Sequence, residues 1–278
     1  MTDSHDDVEL ASDHPGFSDR AYRSRRAKIA STAAAYVPGT AIPLVPYTDV
    51  ENDVWATVST QLSAKHERVA CRTYRESTAR LALPRDRVPQ LQEVNERLAG
   101  LTGFQVRPVA GLVPARDFYG ALADRRFLAT QYVRHHSVPF YTPEPDVIHE
   151  LVGHVCMLAS EEFADLYEAA GAASRRASTP DELEFFSRVF WFTIEFGVVW
   201  EDGALKAYGA GLLSSYGELD VFDRAEVHEW DVEAMGTTSY DITRYQPLLF
   251  AAASQSDLVR DLAAFFDSYG QVVHTAAS

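Results

Sequence analysis

The chain has 278 residues, 46% hydrophobic and 12% aromatic, enough apolar surface for a sizeable core in one large domain or two small ones. Its formal charge of −15 argues against a nucleic-acid partner, whose phosphates demand clustered Lys and Arg, and favours small-molecule ligands. The acidic start MTDSHDDVEL does not read as a secretory leader, no apolar run is long enough to cross a bilayer, and Cys71 and Cys156 form no C-x-x-C pair; the expectation is a cytoplasmic protein, away from membranes, in which any metal is held by His and carboxylate.

Residues 1–13 are polar and acidic and read as a disordered tail, with one mainly α domain over 14–278 that carries a few short β-strands. Phe17, Tyr22, Ile29 and Ala33 recur at helical spacing, and PGTAIPLVPY then breaks the pattern into an extended connector. Helices are expected in DVWATVSTQLSAKH and in RVPQLQEVNERLAGLTG, where Leu91, Val94 and Leu98 share a face and Gly100 supplies a stop. FQVRPVAGLVP suggests a short strand, PARDFYGALADR a helix and RFLATQYVR a strand. The prolines of YTPEPD postpone the next helix to Asp146, and Phe185, Val189, Phe192 and Phe196 mark a later, strongly apolar helix face. LKAYGAG reads as a small hairpin strand, and PLLFAAASQSDLVRDLAAFFDSYG as a final helical region.

Within PEPDVIHELVGHVCML, two histidines bracket a glutamate, as in the H-E-x-x-H helix of zinc proteases, but His149 and His154 lie five positions apart instead of four. On an ideal helix five steps of 100° leave the side chains about 140° apart, too far for one ion to take both. A π-type turn, closing i to i+5, brings them back to one side, so a local distortion is expected near Val152 and Gly153. Glu195, in VFWFTIEFGVVW, is the best third donor, because a carboxylate among Phe190, Trp191, Phe192 and Ile194 is costly to bury without a cation; the alternative is an exposed stripe of that helix. Two imidazoles and a carboxylate leave open positions on one flank of a divalent ion, the arrangement of non-haem Fe(II) oxygenases, although zinc fits the same set. On zinc, with Glu150 as base, the chain would be a metallohydrolase. Cys156 points to another helix face and reads as a packed core thiol.

The segments RHHSVPFYTPEPDVIHELVGH, FWFTIEFG and KAYGAGLLSSYGEL together resemble the catalytic core of the pterin-dependent aromatic amino acid hydroxylases, with the phenylalanine-hydroxylating members nearest. The likeness runs upstream through HPGFSDRAYRSRR, VPQLQEVNERLAGLTGF, RPVAGLV and RDF and downstream to YQPLLF, covering nearly everything from His14 to about Phe250. It resembles a stand-alone bacterial catalytic domain, without the regulatory domain or tetramerisation helix of the animal enzymes, and is expected to be a monomer. The resemblance implies that His149, His154 and Glu195 bind Fe(II), and that iron and a tetrahydropterin together activate O2 to hydroxylate an aromatic amino acid.

It also implies a substrate site. Arg134 takes the amino-acid carboxylate, with Tyr141, Thr142 and Asp146 nearby, and Pro145, Trp191 and Phe196 surround the ring. Ser214 and Ser215 lie beside the substrate and the first iron ligand, where a hydroxyl can orient His149. GAGLLS is no dinucleotide fingerprint, because Ser214 stands where the third glycine belongs. For the pterin, the resemblance points to Gly111, Val113, Ala115, Phe118, Glu150 and Phe190, with Phe118 stacking on the ring. Leu128 and Phe190 depart from a histidine and a tyrosine of the animal enzymes. Trp191 matches the phenylalanine and tyrosine enzymes, whereas Ile242 matches the tryptophan enzymes and is not the Asp of the tyrosine enzymes. The expected substrate is phenylalanine, hydroxylated at the para position with meta open, and tryptophan is the alternative.

Overall fold

The computed structural model describes Leu10, Ser12 and residues 14–271. The expected acidic tail over residues 1–13 therefore lies outside the described residues except at those two positions, of which Leu10 is buried. Helix α1 (Arg20–Ala34) is capped by the Asp19 carboxylate, which accepts from Tyr22 N–H. The proline-rich connector follows it, without regular structure, as its composition predicts. Helix α2 (Asp49–Val69) opens with a reciprocal cap between Thr48 and Glu51, and buries Val54, Trp55, Val58 and Leu62 on one face. The sequence reading passes over α3 (Arg72–Leu81), a largely polar helix anchored by Tyr74, Ser77 and Leu81. Helix α4 (Leu91–Ala99) buries Leu91, Val94 and Leu98 and ends at Gly100.

Strand β1 (Gln105–Pro108) pairs in parallel with β2 (Arg126–Ala129), and α5 (Ala115–Leu122) makes the crossover between them. A π-helix then runs from His149 to Val155 and passes into α6 (Cys156–Leu158). The distortion expected from the five-residue spacing is thus present, and it spans Val152 and Gly153. Helix α7 (Glu161–Arg176) packs on α5, and α8 (Pro180–Phe190) continues into a second π-helix, Trp191–Glu195. The expected apolar face of this segment is real, but its last turn is wound i to i+5 and not as plain α-helix.

Beyond it lie β3 (Val198–Glu201), β4 (Ala204–Ala207), α9 (Ala210–Ser214), β5 (Glu226–Glu229), α10 (Val232–Thr237), β6 (Leu248–Ala252) and α11 (Gln255–Ser268). They include a sheet of order β4-β3-β6-β5, antiparallel between β3 and β4 and parallel elsewhere. One expectation needs correcting. PLLFAAASQSDLVRDLAAFFDSYG is not helical throughout, since Leu248–Ala252 is the strand β6 and only Gln255–Ser268 is helix. Flanked by β3 and β5 and largely buried, β6 is a continuous apolar run without the alternation that marks a half-exposed strand. The whole is mainly helical, a single domain with few strands, and among the described residues no helix is long and apolar enough to cross a membrane.

Candidate metal centre and substrate pocket

Asp146, fully buried, ends the proline-rich loop and starts the helix that carries the histidines. Its Oδ1 accepts from His149 N–H at 3.1 Å, satisfying one free donor of the first turn. The same carboxylate holds Arg134, with Nε to Oδ2 at 3.0 Å and Nη2 to Oδ1 at 2.8 Å. Burial alone would raise the Asp146 pKa, but the Arg134 charge and the hydrogen bonds from Arg134 and His149 together outweigh it, and the carboxyl is held below its usual value. Arg134 is therefore a buried, braced cation and not a surface arginine, and it borders the pocket described below.

The π-helix brings His149 and His154 together: their Nε2 atoms are 3.1 Å apart with ring planes at 86°. Glu195, at the end of the second π-helix, faces both, with Oε1 3.2 Å from His154 Nε2 and Oε2 3.9 Å from His149 Nε2. Each Nδ1 is engaged behind this meeting point. Ser214 Oγ donates to Ala210 O at 2.8 Å, which leaves it to accept from His149 Nδ1 at 2.9 Å; His154 Nδ1 lies 2.9 Å from the Tyr167 hydroxyl. The His149 ring thereby keeps its proton on Nδ1 and turns a bare Nε2 lone pair inward, the tautomer a metal requires. Burial and the neighbouring His154 push the His149 pKa down to about 4. For His154, burial acts downward but the Glu195 carboxylate outweighs it and raises the pKa, while Glu195 itself is lowered, mainly because His154 overcomes its burial.

Glu150 also has an oxygen within 4.8 Å of a nitrogen of each imidazole. Its Oε1, however, accepts from both the N–H and the hydroxyl of Thr130 at 3.1 Å, and burial pushes its pKa up to about 7. Glu195, closer to the imidazoles and held low, is the better anionic donor. Glu150, turned onto Thr130, is also poorly placed as the free base of a hydrolase.

His149 and Glu195 border a pocket of about 670 Å³. Of the residues expected around a substrate, Arg134, Tyr141, Thr142, Pro145, Trp191, Phe196, Ser214, Ser215 and Ile242 all border it, and Asp146 sits beneath Arg134. The residues expected around a pterin do not border that pocket, although Leu112, between Gly111 and Val113, does. Gly111 and Val113 are half-buried and Ala115 is exposed. Half-buried Phe118 meets buried Phe127 and Phe190 edge to face, and Phe127 in turn lies 4.8 Å from the His154 ring. Half-buried Leu128 follows on the same strand.

Several structural partners escape the sequence reading. Tyr167 reaches His154 from α7, and nothing in EEFADLYEAAG marks it. Tyr240 stacks on Trp191 at 4.2 Å, and Gln246 accepts from the Trp191 indole N–H at 3.0 Å. Gly209 and Gly211 of YGAG did carry a signal, read as hairpin: a Cβ on Gly209 would lie 2.4 Å from Glu195 O, and one on Gly211 would lie 2.6 Å from the Phe196 ring.

A family model described as biopterin-dependent aromatic amino acid hydroxylase matches residues 3–274. The chain is 46% identical over 255 residues to phenylalanine 3-hydroxylase of Streptomyces coeruleorubidus, covering 92% of this chain and 91% of that one. It is 46% identical over 254 residues to phenylalanine-4-hydroxylase of Caenorhabditis elegans, covering 89% of this chain but only 55% of the nematode protein, so it spans about half of that relative. Among solved structures, phenylalanine hydroxylase of Chromobacterium violaceum with bound iron(III) and oxidized cofactor 7,8-dihydrobiopterin superposes with a TM-score of 0.74 at 30% identity, covering 84% of this chain and 89% of that one.

Proposed function

Because the chain belongs to the biopterin-dependent aromatic amino acid hydroxylase family, we propose that it is a monooxygenase that hydroxylates the ring of L-phenylalanine, with Fe(II) at His149, His154 and Glu195 and a tetrahydropterin as reductant. The observation that carries this reading is the convergence of three donors, two inward-facing Nε2 atoms and a carboxylate, two of which border an apolar-walled pocket that a buried arginine also borders. The donor set fits a ferrous ion: two neutral imidazoles and one carboxylate leave it net positive, and all three approach from the protein side. When bound, iron and tetrahydropterin supply the reduction of O2 that allows an oxygen atom to enter an aromatic ring.

The chain's own residues do the rest. Arg134, held in place by its two side-chain hydrogen bonds to Asp146, presents its remaining guanidinium edge to the carboxylate of the amino acid. Trp191, Phe196 and Pro145 wall the ring and keep water from the reacting face. Ser214 and Tyr167 hold the two imidazoles with Nε2 inward. The residues that would hold a pterin are Phe118, whose ring packs through Phe127 to His154, and the 111–115 segment before it.

A second reading concerns ring position. The relative that matches this chain over nearly its whole length is a phenylalanine 3-hydroxylase, which favours meta hydroxylation over the para default. The test is an assay with Fe(II), a tetrahydropterin, O2 and either phenylalanine or tryptophan, with products separated by chromatography. Hydroxyphenylalanine is expected, and its isomer decides the position; hydroxytryptophan as the main product, or no pterin-dependent O2 uptake, refutes the reading. Cytoplasmic location and a monomeric state belong to the same proposal, and gel filtration tests the latter.

A further inference from the structure

Trp191 opens the π-helix that ends in Glu195, so this wall residue shares one element with a candidate metal donor. Two aromatic neighbours fix its plane: Tyr240 stacks at 4.2 Å with 9° between planes, and Phe196 lies at 4.4 Å, tilted by 34°. Stacking leaves a ring free to slide and turn within its plane, because dispersion has little directional preference there. The indole N–H supplies the directional contact that stacking lacks, donating to Gln246 Oε1 at 3.0 Å.

Gln246 is buried, and its amide orientation is dictated by its partners. Nε2 donates to Asp241 O and to Arg244 O, both at 3.0 Å. With the amide reversed, an NH2 would face the indole N–H and a carbonyl would face two carbonyls, so all three of these contacts would become opposed. Its backbone N–H adds a fourth bond, to Glu218 Oε1 at 2.7 Å. Gln246 thus ties the loop that carries Ile242 to the indole, and it stands two residues before β6, which pairs with the β3 strand that follows Glu195. The indole, the loop and the carboxylate donor share one rigid base.

We propose that Gln246 is a positioning residue that sets where on the substrate ring oxygen enters, by fixing the in-plane orientation of Trp191. This rests on the functional reading above, with the substrate ring against Trp191. A turned indole changes the wall that the ring leans on, and meta and para carbons are only about 1.4 Å apart, a bond length not far from the backbone C–N and C=O values. A small tilt of the ring therefore exchanges one position for the other.

The test compares the full-length parent with Gln246→Leu, which removes the acceptor and both donors, and Gln246→Glu, which keeps an acceptor for the indole but loses both donors to the loop. Hydrogen exchange at the Trp191 indole N–H, identified by its loss in Trp191→Phe, is read by NMR without added metal. The 3-hydroxy to 4-hydroxy product ratio is read separately with iron and tetrahydropterin. Gln246→Leu is expected to exchange at least tenfold faster and to shift the ratio at least threefold. Gln246→Glu is expected to keep the indole protected and the ratio within twofold, while raising KM for phenylalanine severalfold. Unchanged exchange in Gln246→Leu, a ratio that ignores faster exchange, or an equal ratio shift in both variants overturns the role of Gln246 alone. A parent that hydroxylates neither position overturns the functional reading and this role with it.

Discussion

Ser214→Ala is the sharpest probe of how the candidate centre is held. The hydroxyl spends its single proton on Ala210 O and accepts from His149 Nδ1, so it decides which His149 nitrogen carries the hydrogen. Without it, a buried Nδ1–H has no partner, a loss of about 1–3 kcal/mol that the ring escapes by moving the proton to Nε2. That tautomer has no lone pair on Nε2, the nitrogen that faces His154. Removing such a supporting hydrogen bond typically lowers metal affinity 10- to 100-fold, or about 1.4–2.7 kcal/mol. Ser215→Ala is the control, since Ser215 borders the pocket but only Ser214 touches His149. Competition of Fe(II) or Co(II) against a chelator measures the affinities, and thermal melts without metal verify the fold. A Ser214→Ala protein that binds metal as tightly as the parent, or a Ser215→Ala protein that loses as much, refutes the tautomer argument.

Glu195→Gln is expected to keep the fold and lose most iron affinity, because an amide replaces the carboxylate that lies 3.2 and 3.9 Å from the two imidazoles; metal content after dialysis checks this. Arg134→Ala is expected to weaken amino-acid binding and also to cost about 3–5 kcal/mol of stability, because it strands the fully buried Asp146 carboxylate. Calorimetry and KM together test it, and a purely kinetic defect would show that Asp146 does not depend on Arg134. Acid stability should report His66, whose pKa burial pushes down to about 4 while its Nε2 bonds to Leu213 O at 2.7 Å. Its folded pKa lies below its unfolded value, so its contribution is full above about pH 6.5 and is lost as pH falls through about 4, amounting to about 3 kcal/mol. His149 titrates in the same direction, so the comparison of parent with His66→Gln in urea melts between pH 7 and 4 isolates the term; parallel stability profiles would exclude it.

How far the letters reach depends on whether a feature leaves a local trace. The π-helix was legible because metal geometry and α-helical geometry disagree over a five-residue spacing, and only one local distortion reconciles them. The N-cap at Asp146 was legible because two prolines forbid helix before it. Strand β6 was misread because a strand covered on both sides loses its alternation and merges with the apolar helix that follows. Tyr167, Tyr240 and Gln246 carry no local signature at all. Their partners lie 13, 49 and 55 residues away, and a hydrogen bond or a stack between distant residues exists only once the chain has folded. The substrate wall came from resemblance alone, and every residue so assigned, apart from the underlying Asp146, borders the pocket.

The glycines explain how three donors on two separate segments come within reach of one ion. Helix α9 is only five residues long, yet it touches both segments and also delivers Ser214 to His149. It approaches so closely because there is no side chain at the contact: a Cβ on Gly153 would stand 2.6 Å from Ala210 O, and one on Gly209 would stand 2.4 Å from Glu195 O. Either would have to be relieved by a movement of about 1 Å to restore ordinary contact between carbon and oxygen. Metal–ligand distances tolerate only about 0.2 Å. The separation of His149, His154 and Glu195 is therefore set less by the helices that carry them than by the short helix wedged behind, and the YGAG segment, which resembles a failed nucleotide motif in sequence, is the spacer of the centre.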